Sequence, residues 1–164
     1  MQFKQKITPC LWFDTQAEEA ANFYVGIFEN SRITTIARYG KAGTEVHGKP
    51  AGSVMTVAFE LEGQPFTALN GGPEFKFNEA LSLLINCADQ DEIDYYWDKL
   101  TEGGEEGPCG WLKDRYGLSW QIAPEWMEAV ISGPDQAKAA RAMQAMFTMK
   151  KIDLATLQKA AAGK

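Results

Sequence analysis

Residues 80–100, ALSLLINCADQDEIDYYWDKL, set an apolar β-forming run directly before an amphipathic one, and the same pairing occurs earlier in the chain. Ala80–Cys87 reads as a strand. In the segment that follows, Ile93, Tyr96, Trp97 and Leu100 recur at the spacing that places side chains on one face of a helix. The earlier copy is ITPCLWF (7–13) followed by DTQAEEAANFYVGIF (14–28), where Ala20, Phe23, Tyr24 and Ile27 match the second stripe at a constant offset. Helices over Gln16–Phe28 and Gln90–Leu100 are therefore expected. Asp14 or Thr15 is placed to cap the first, because a short side-chain oxygen can accept from free N–H groups of the opening turn.

Outward from these pairs, RITTIARY (32–39) reads as a strand and the Gly-rich stretch 40–52 as a loop. SVMTVAFEL (53–61) and PFTALN (65–70) then form a hairpin around Glu62-Gly63. One unit is thus strand, helix, three strands. Its closing hairpin, Gly63-Gln64-Pro65-Phe66-Thr67-Ala68, aligns with Gly117-Leu118-Ser119-Trp120-Gln121-Ile122, a turn glycine followed three residues later by an aromatic. Two unrelated strand–helix units would share the helical stripe, but agreement of helix and hairpin together favours a duplication. The fold class expected is α+β, one domain over 1–164. Module one covers about 5–72, module two about 78–124, and a helical extension 125–164. In that extension Ala139, Met143, Met146 and Phe147 share a face that needs a partner.

With 164 residues, 45% hydrophobic and 23% charged, the composition is that of one packed domain. Its 16 basic against 22 acidic residues, a net charge of -6, would repel a phosphate backbone, so nucleic acid is not expected as a partner. No stretch reaches the roughly 20 apolar residues of a bilayer span, and the lysine-bearing start lacks a signal-peptide core. Neither membrane association nor secretion is expected. Three widely spaced cysteines, Cys10, Cys87 and Cys109, read as reduced thiols in a cytoplasmic protein.

Strand alternation assigns the faces. Leu118, Trp120 and Ile122 should meet the helix, as should Leu81, Leu83, Ile85 and Cys87. The opposite face then carries Ser119, Gln121 and Ala123 beside Ser82, Leu84 and Asn86, with Thr67 and Leu69 at the corresponding place in module one. A row of Thr, Ser, Asn and Gln on an inward face favours a wet cavity over a sealed core, since each unpaired buried polar group costs about 1–3 kcal/mol. Thr67, Ser82, Asn86 and Gln121 are the expected ligand-binding residues. Trp12, Tyr39, Phe75, Phe77 and Trp111 could stack on a bound molecule or belong to the core. Cys10 and Cys87 are expected to be buried structural thiols, turned to the helix layer.

These residues resemble the vicinal oxygen chelate superfamily, which includes glyoxalase I, extradiol dioxygenases and bleomycin-resistance proteins. ITPCLWFDTQAEEAANFY (7–24), DRYGLSWQIAP (114–124) and AMQAMFTMKKIDLATLQKA (142–160) look like its PhnB-like branch, often labelled 3-demethylubiquinone-9 3-methyltransferase-like. The resemblance implies paired βαβββ modules forming a U-shaped mixed sheet around a cavity, commonly completed by a homodimer. It also implies four inward metal-ligand positions, which fall here near Thr8 or Pro9 and at Thr67, Ser82 and Gln121. Hydroxyl and imino-acid side chains do not replace the imidazoles and carboxylates that a divalent ion requires, so neither a metal nor another cofactor is expected. The only histidine, His47, sits in the loop. The methyltransferase label lacks the Gly-rich strand-to-helix turn of a parallel α/β sheet. Three functions remain: a metal-free protein that binds a small molecule, a metal-independent enzyme using Gln121 and Ser82 with Glu60 or Asp114 as base, and an interaction module with a filled interior.

Overall fold

The computed structural model describes residues 5–164, whose backbone separates at Lys76/Phe77 into two compact units. In the first, β1 (Cys10–Phe13), β2 (Arg32–Arg38), β3 (Val54–Leu61) and β4 (Gln64–Asn70) form a sheet of order β1-β4-β3-β2. The helix α1 (Ala17–Val25) follows β1, and a one-turn helix α2 (Thr44–His47) interrupts the Gly-rich loop. In the second, β5 (Ser82–Cys87), β6 (Glu105–Glu106), β7 (Trp111–Lys113) and β8 (Ser119–Pro124) follow the order β5-β8-β7-β6, with α3 (Gln90–Thr101) after β5. In each sheet the first strand lies parallel to the last and the other pairings are antiparallel. Order and direction repeat together, so the chain is a duplicated βαβββ protein of the α+β class.

The helical stripes explain how each module closes. Ala20, Tyr24 and Ile27 are buried in the first helix region, and Ile93, Trp97 and Leu100 in the second, while Phe23 and Tyr96 are half-buried at the same place. Burying each of the larger side chains contributes about 1.5–3 kcal/mol. On the sheets, Phe66 and Trp120 occupy matching buried positions after glycines whose φ angles are 77° at Gly63 and 83° at Gly117. Glu62 also has a positive φ, so the two-residue turn of the first hairpin twists with its strands.

Several local expectations change. The helix α1 starts at Ala17, later than expected, and neither Asp14 nor Thr15 caps it. The Asn70 side chain, arriving from the end of β4, accepts from the Ala17 N–H at 2.8 Å and donates to the Val54 carbonyl. This is a cap supplied across 53 residues, which no local pattern contains. The helix ends at Val25, and Ile27 and Phe28 stay buried in the following turn. By contrast α3 has a local cap: Asp89 accepts from Glu92 N–H at 3.0 Å and Glu92 accepts from Ala88 N–H at 2.8 Å. Leu81 lies outside β5 and is exposed, so the apolar stripe there begins at Leu83. Cys10 is exposed, because Leu11 and Phe13 are the β1 residues facing the helix. Cys87 is fully buried, as its strand phase predicts.

The extension forms α4 (Glu125–Ile131), α5 (Gln136–Met146) and α6 (Leu154–Ala161). Asp135 and Asp153 cap the last two, accepting from Lys138 and Thr156 N–H groups. Arg141 donates twice to the Ala161 carbonyl and holds α5 and α6 together. The link between them is pinned to module two by Cys109 N–H to Met149 O and Gly110 N–H to Lys150 O, both 2.8 Å. Gly110 has φ 81°, and a Cβ there would come within 2.5 Å of the Ile122 carbonyl. Gln90, the first residue of α3, donates to Ile152 O and accepts from Leu154 N–H. Ala139 and Ala142, rather than the methionines, form the buried line of α5, and Phe147 remains 63% exposed.

Candidate functional site

The sheet of module two presents its non-helical face as rows. Ser82, Ser119 and Lys113 lie across one row, with Glu105 beyond Lys113, and Leu84, Gln121 and Trp111 lie across the next. Asn86 and Ala123 pair in the third. Alternation explains this arrangement, since Trp120 and Ile122 between them are buried on the other side. The face forms one wall of a cavity of about 930 Å³, and Met127 and Ile131 of α4 with Met146 and Phe147 at the end of α5 supply another. The extension therefore borders this face within its own module, while Leu84 on the face stays exposed. The methionine-rich segment supplies part of the cavity wall.

Of the residues expected to bind a ligand, Gln121 and Asn86 line this cavity. Ser82 stands behind Gln121, accepting from its Nε2 at 2.8 Å, which fixes the amide across the parallel strand pair. Thr67 is half-buried on β4 of module one, opposite Cys10, and does not line this cavity. Trp111 is on the wall, whereas Trp12 belongs to module one, where it meets Phe75 edge-on at 4.9 Å and donates to the Gly72 carbonyl. Tyr39 packs on the His47 ring at 4.5 Å. Both His47 nitrogens serve their own loop, Nδ1 accepting from Lys49 N–H and Nε2 meeting Ala42 O.

Neither base weighed from the sequence is poised for proton transfer in this cavity. Asp114 is buried and accepts from Tyr116 N–H, Leu118 N–H and Trp120 Nε1, a structural role at the turn before β8. Glu60 is in module one and pairs with Arg32. Cys87 lies on the helix side, where burial, then the Glu92 and Asp89 carboxylates, push its thiol up to about 12. The sequence reading missed the rim acids Glu105, Glu106 and Glu128 and the wall formed by α4. Glu105 and Glu106 showed only as part of a Gly- and Glu-rich run that itself holds the two-residue β6, and Glu128 lies in α4.

Of the metal positions implied by the resemblance, Gln121 alone presents an amide oxygen, unoccupied among the described residues. Ser82 Oγ is occupied by the Gln121 amide, Thr67 offers only a hydroxyl, and Thr8 is exposed. Among the described residues no group of three His, Cys, Asp or Glu side chains is placed to hold an ion. No helix among them is long and apolar enough to cross a membrane.

Two βαβββ modules with these sheet orders define a protein of the vicinal oxygen chelate class. A family model described as 3-demethylubiquinone-9 3-methyltransferase matches residues 5–123, and the chain belongs to that family, the PhnB-like branch of the class. The PhnB protein of Bacillus cereus, whose description carries the same methyltransferase label, is 36% identical over 73% of this chain and 99% of its own, with a TM-score of 0.63. Protein PA1353 of Pseudomonas aeruginosa, at 19% identity over 74% of this chain and 98% of its own, has a TM-score of 0.60. The fosfomycin resistance protein FosX of Mesorhizobium loti, at 13% identity over 85% of this chain and all of its own, has a TM-score of 0.51 and shares the fold. No curated protein matches the chain. The family match ends before α4, so the helices that line part of the cavity lie outside it.

Proposed function

We propose that the cavity of module two binds a small aromatic or amphipathic molecule, oriented by Gln121 and Asn86 and without a metal. The observation that carries this reading is the cavity itself. At about 930 Å³ it falls within the roughly 300–1,000 Å³ of ligand pockets. Its wall is mostly apolar with a few polar groups, the usual division between affinity and orientation. Gln121 has its amide nitrogen held by Ser82, and its Oε1 has no partner among the described residues, so it is available to a ligand. An enzyme of the same fold is the alternative. It is less favoured because Asp114 and Glu60 are committed elsewhere. Methyl transfer, which the family description names, has no support in sheets with one parallel strand pair each and in a β5–α3 turn capped by the Asp89 carboxylate.

The reading includes a homodimer in a cytoplasmic setting. The exposed apolar side chains Leu84, Ile131 and Phe147 at the cavity favour a covering partner, and a reducing compartment suits the free cysteines. Native mass spectrometry of freshly purified protein tests all of this together. Retained small-molecule mass, lost in Gln121→Ala with the fold intact, is the expected result. A monomer at high micromolar concentration refutes the dimer, and a stoichiometric metal lost in the same variant refutes the metal-free site.

A further inference from the structure

We propose that the molecule held in module two is a cationic amphiphile, an apolar chain or ring system ending in a protonated amine. This rests on the cavity being a binding site and adds the charge of its occupant. Of the charged side chains on the cavity, Glu79, Glu105, Glu106 and Glu128 are acidic and Lys113 alone is basic. Lys113 is spent on Glu79 at 2.6 Å, and Glu106 accepts from Trp97 Nε1 and lies 3.6 Å from the Lys150 ammonium. Glu105 and Glu128 have no ion-pair partner among the described residues and are exposed, so they leave a negative rim around an apolar interior. A cation entering that rim is attracted and an anion repelled, with low-dielectric walls concentrating the field.

A second observation points to an occupant independently of charge. Ser119 is 1% exposed, lies on the same face as Gln121 and lines the cavity. Its Oγ is the buried side-chain polar atom without a hydrogen-bond partner among the described residues. Such an atom is costly to leave unpaired. It is satisfied when the side chain turns from the row Ser82, Ser119 and Lys113 toward the cavity and meets a ligand's own polar atom.

The experiment compares decylamine, decanol and decanoate on the full-length protein, followed by calorimetry at low salt and by the part of the tryptophan fluorescence change that Trp111→Phe removes. The three share one body and differ in the charge of the head. The amine is expected to bind about tenfold more tightly than the carboxylate, with the alcohol between and the difference shrinking as salt is added. The double variant Glu105→Gln/Glu128→Gln should bring the amine to the alcohol's affinity, while Glu29→Gln on module one changes nothing. Ser119→Ala should weaken all three several-fold without lowering thermal stability, whereas a serine that only supported the fold would lower stability and leave the order of affinities untouched. Decanoate binding as tightly as decylamine overturns the charge assignment and leaves the pocket standing. Failure of all three to bind overturns both.

Discussion

The two modules share one topology and differ in what holds it. Module one spends long antiparallel strands: β2 and β3 run seven and eight residues and pair along most of their length. Module two has only two residues in β6 and three in β7. It compensates at a corner, where Asp114 is buried and gathers two backbone N–H groups and the Trp120 indole. The corresponding residue three positions before the turn glycine in module one is Glu60, which is half-buried and pairs with the exposed Arg32. The comparison teaches that a duplicated frame can be closed either by sheet ladder or by one saturated carboxylate. The second solution goes with shorter strands and a face bordered by the C-terminal helices.

Removing the aromatic at the matching buried positions has the largest expected effect. Trp120→Ala should cost about 3–5 kcal/mol, because it empties the space under α3 and strands an Asp114 oxygen. Phe66→Ala falls in the same range of about 3–5 kcal/mol, since Phe66 stacks on Phe59 at 5.4 Å but anchors no polar group. Urea unfolding of both variants measures the difference. If Phe66→Ala is the more damaging, the polar anchor adds nothing to module two and the contrast between the modules fails.

Next is the carboxylate itself. Asp114→Ala leaves three donors without their acceptor at a buried corner, a loss of about 2–3 kcal/mol. Hydrogen exchange should show the Tyr116 and Leu118 amides losing protection first, with module one unchanged. Uniform loss across both modules would mean that the corner does not act locally.

The cysteines separate the modules by reactivity and by pH. Cys10 is exposed on β1, while Cys87 is buried on β5 with a thiol raised from 9.0 to about 12. A disulfide reagent at mildly alkaline pH should label Cys10 and spare Cys87 until the protein unfolds. Because the folded thiol titrates above the unfolded one, the stability it contributes is fully present below about pH 9 and is lost as pH rises toward 12. Cys87→Ala should flatten the alkaline fall of a pH–stability curve. A slope unchanged by that substitution would place the alkaline loss in other groups.

What could be read from residues alone follows the range of the forces involved. The helical stripes and the hairpin glycines are local, so both modules and the orientation of Gln121, Leu84 and Asn86 were legible. The cap of α1 by Asn70 was not, because its two ends are far apart in sequence. Strands as short as Glu105–Glu106 have no period to detect, so the acidic rim went unseen. Cys10 was misplaced because ITPCLWF is apolar on both phases, and only Leu11 and Phe13 reveal which side faces the helix. The cavity needed the fold of the tail, where the Cys109 and Gly110 amides take the Met149 and Lys150 carbonyls and bring Phe147 to the wall.

The smallest effect is expected at the corner of module one. Arg32 Nε lies 3.1 Å from Glu60 Oε2, and the glutamate side chain is 21% exposed, but the arginine side chain is 70% exposed, so water and salt compete for the guanidinium. An exposed pair of this kind contributes roughly 0–1 kcal/mol. Glu60 also pairs in the sheet with Arg32 and Pro65 through its backbone, which a substitution leaves in place. Glu60→Gln should therefore shift the unfolding midpoint barely beyond error, and a rise in salt should erase the difference. Asp114→Ala, whose hydrogen bonds are sheltered from solvent, should keep its cost at every salt concentration. If Glu60→Gln were as damaging as Asp114→Ala and equally indifferent to salt, both modules would close through a sheltered carboxylate, and strand length would cease to explain how they differ.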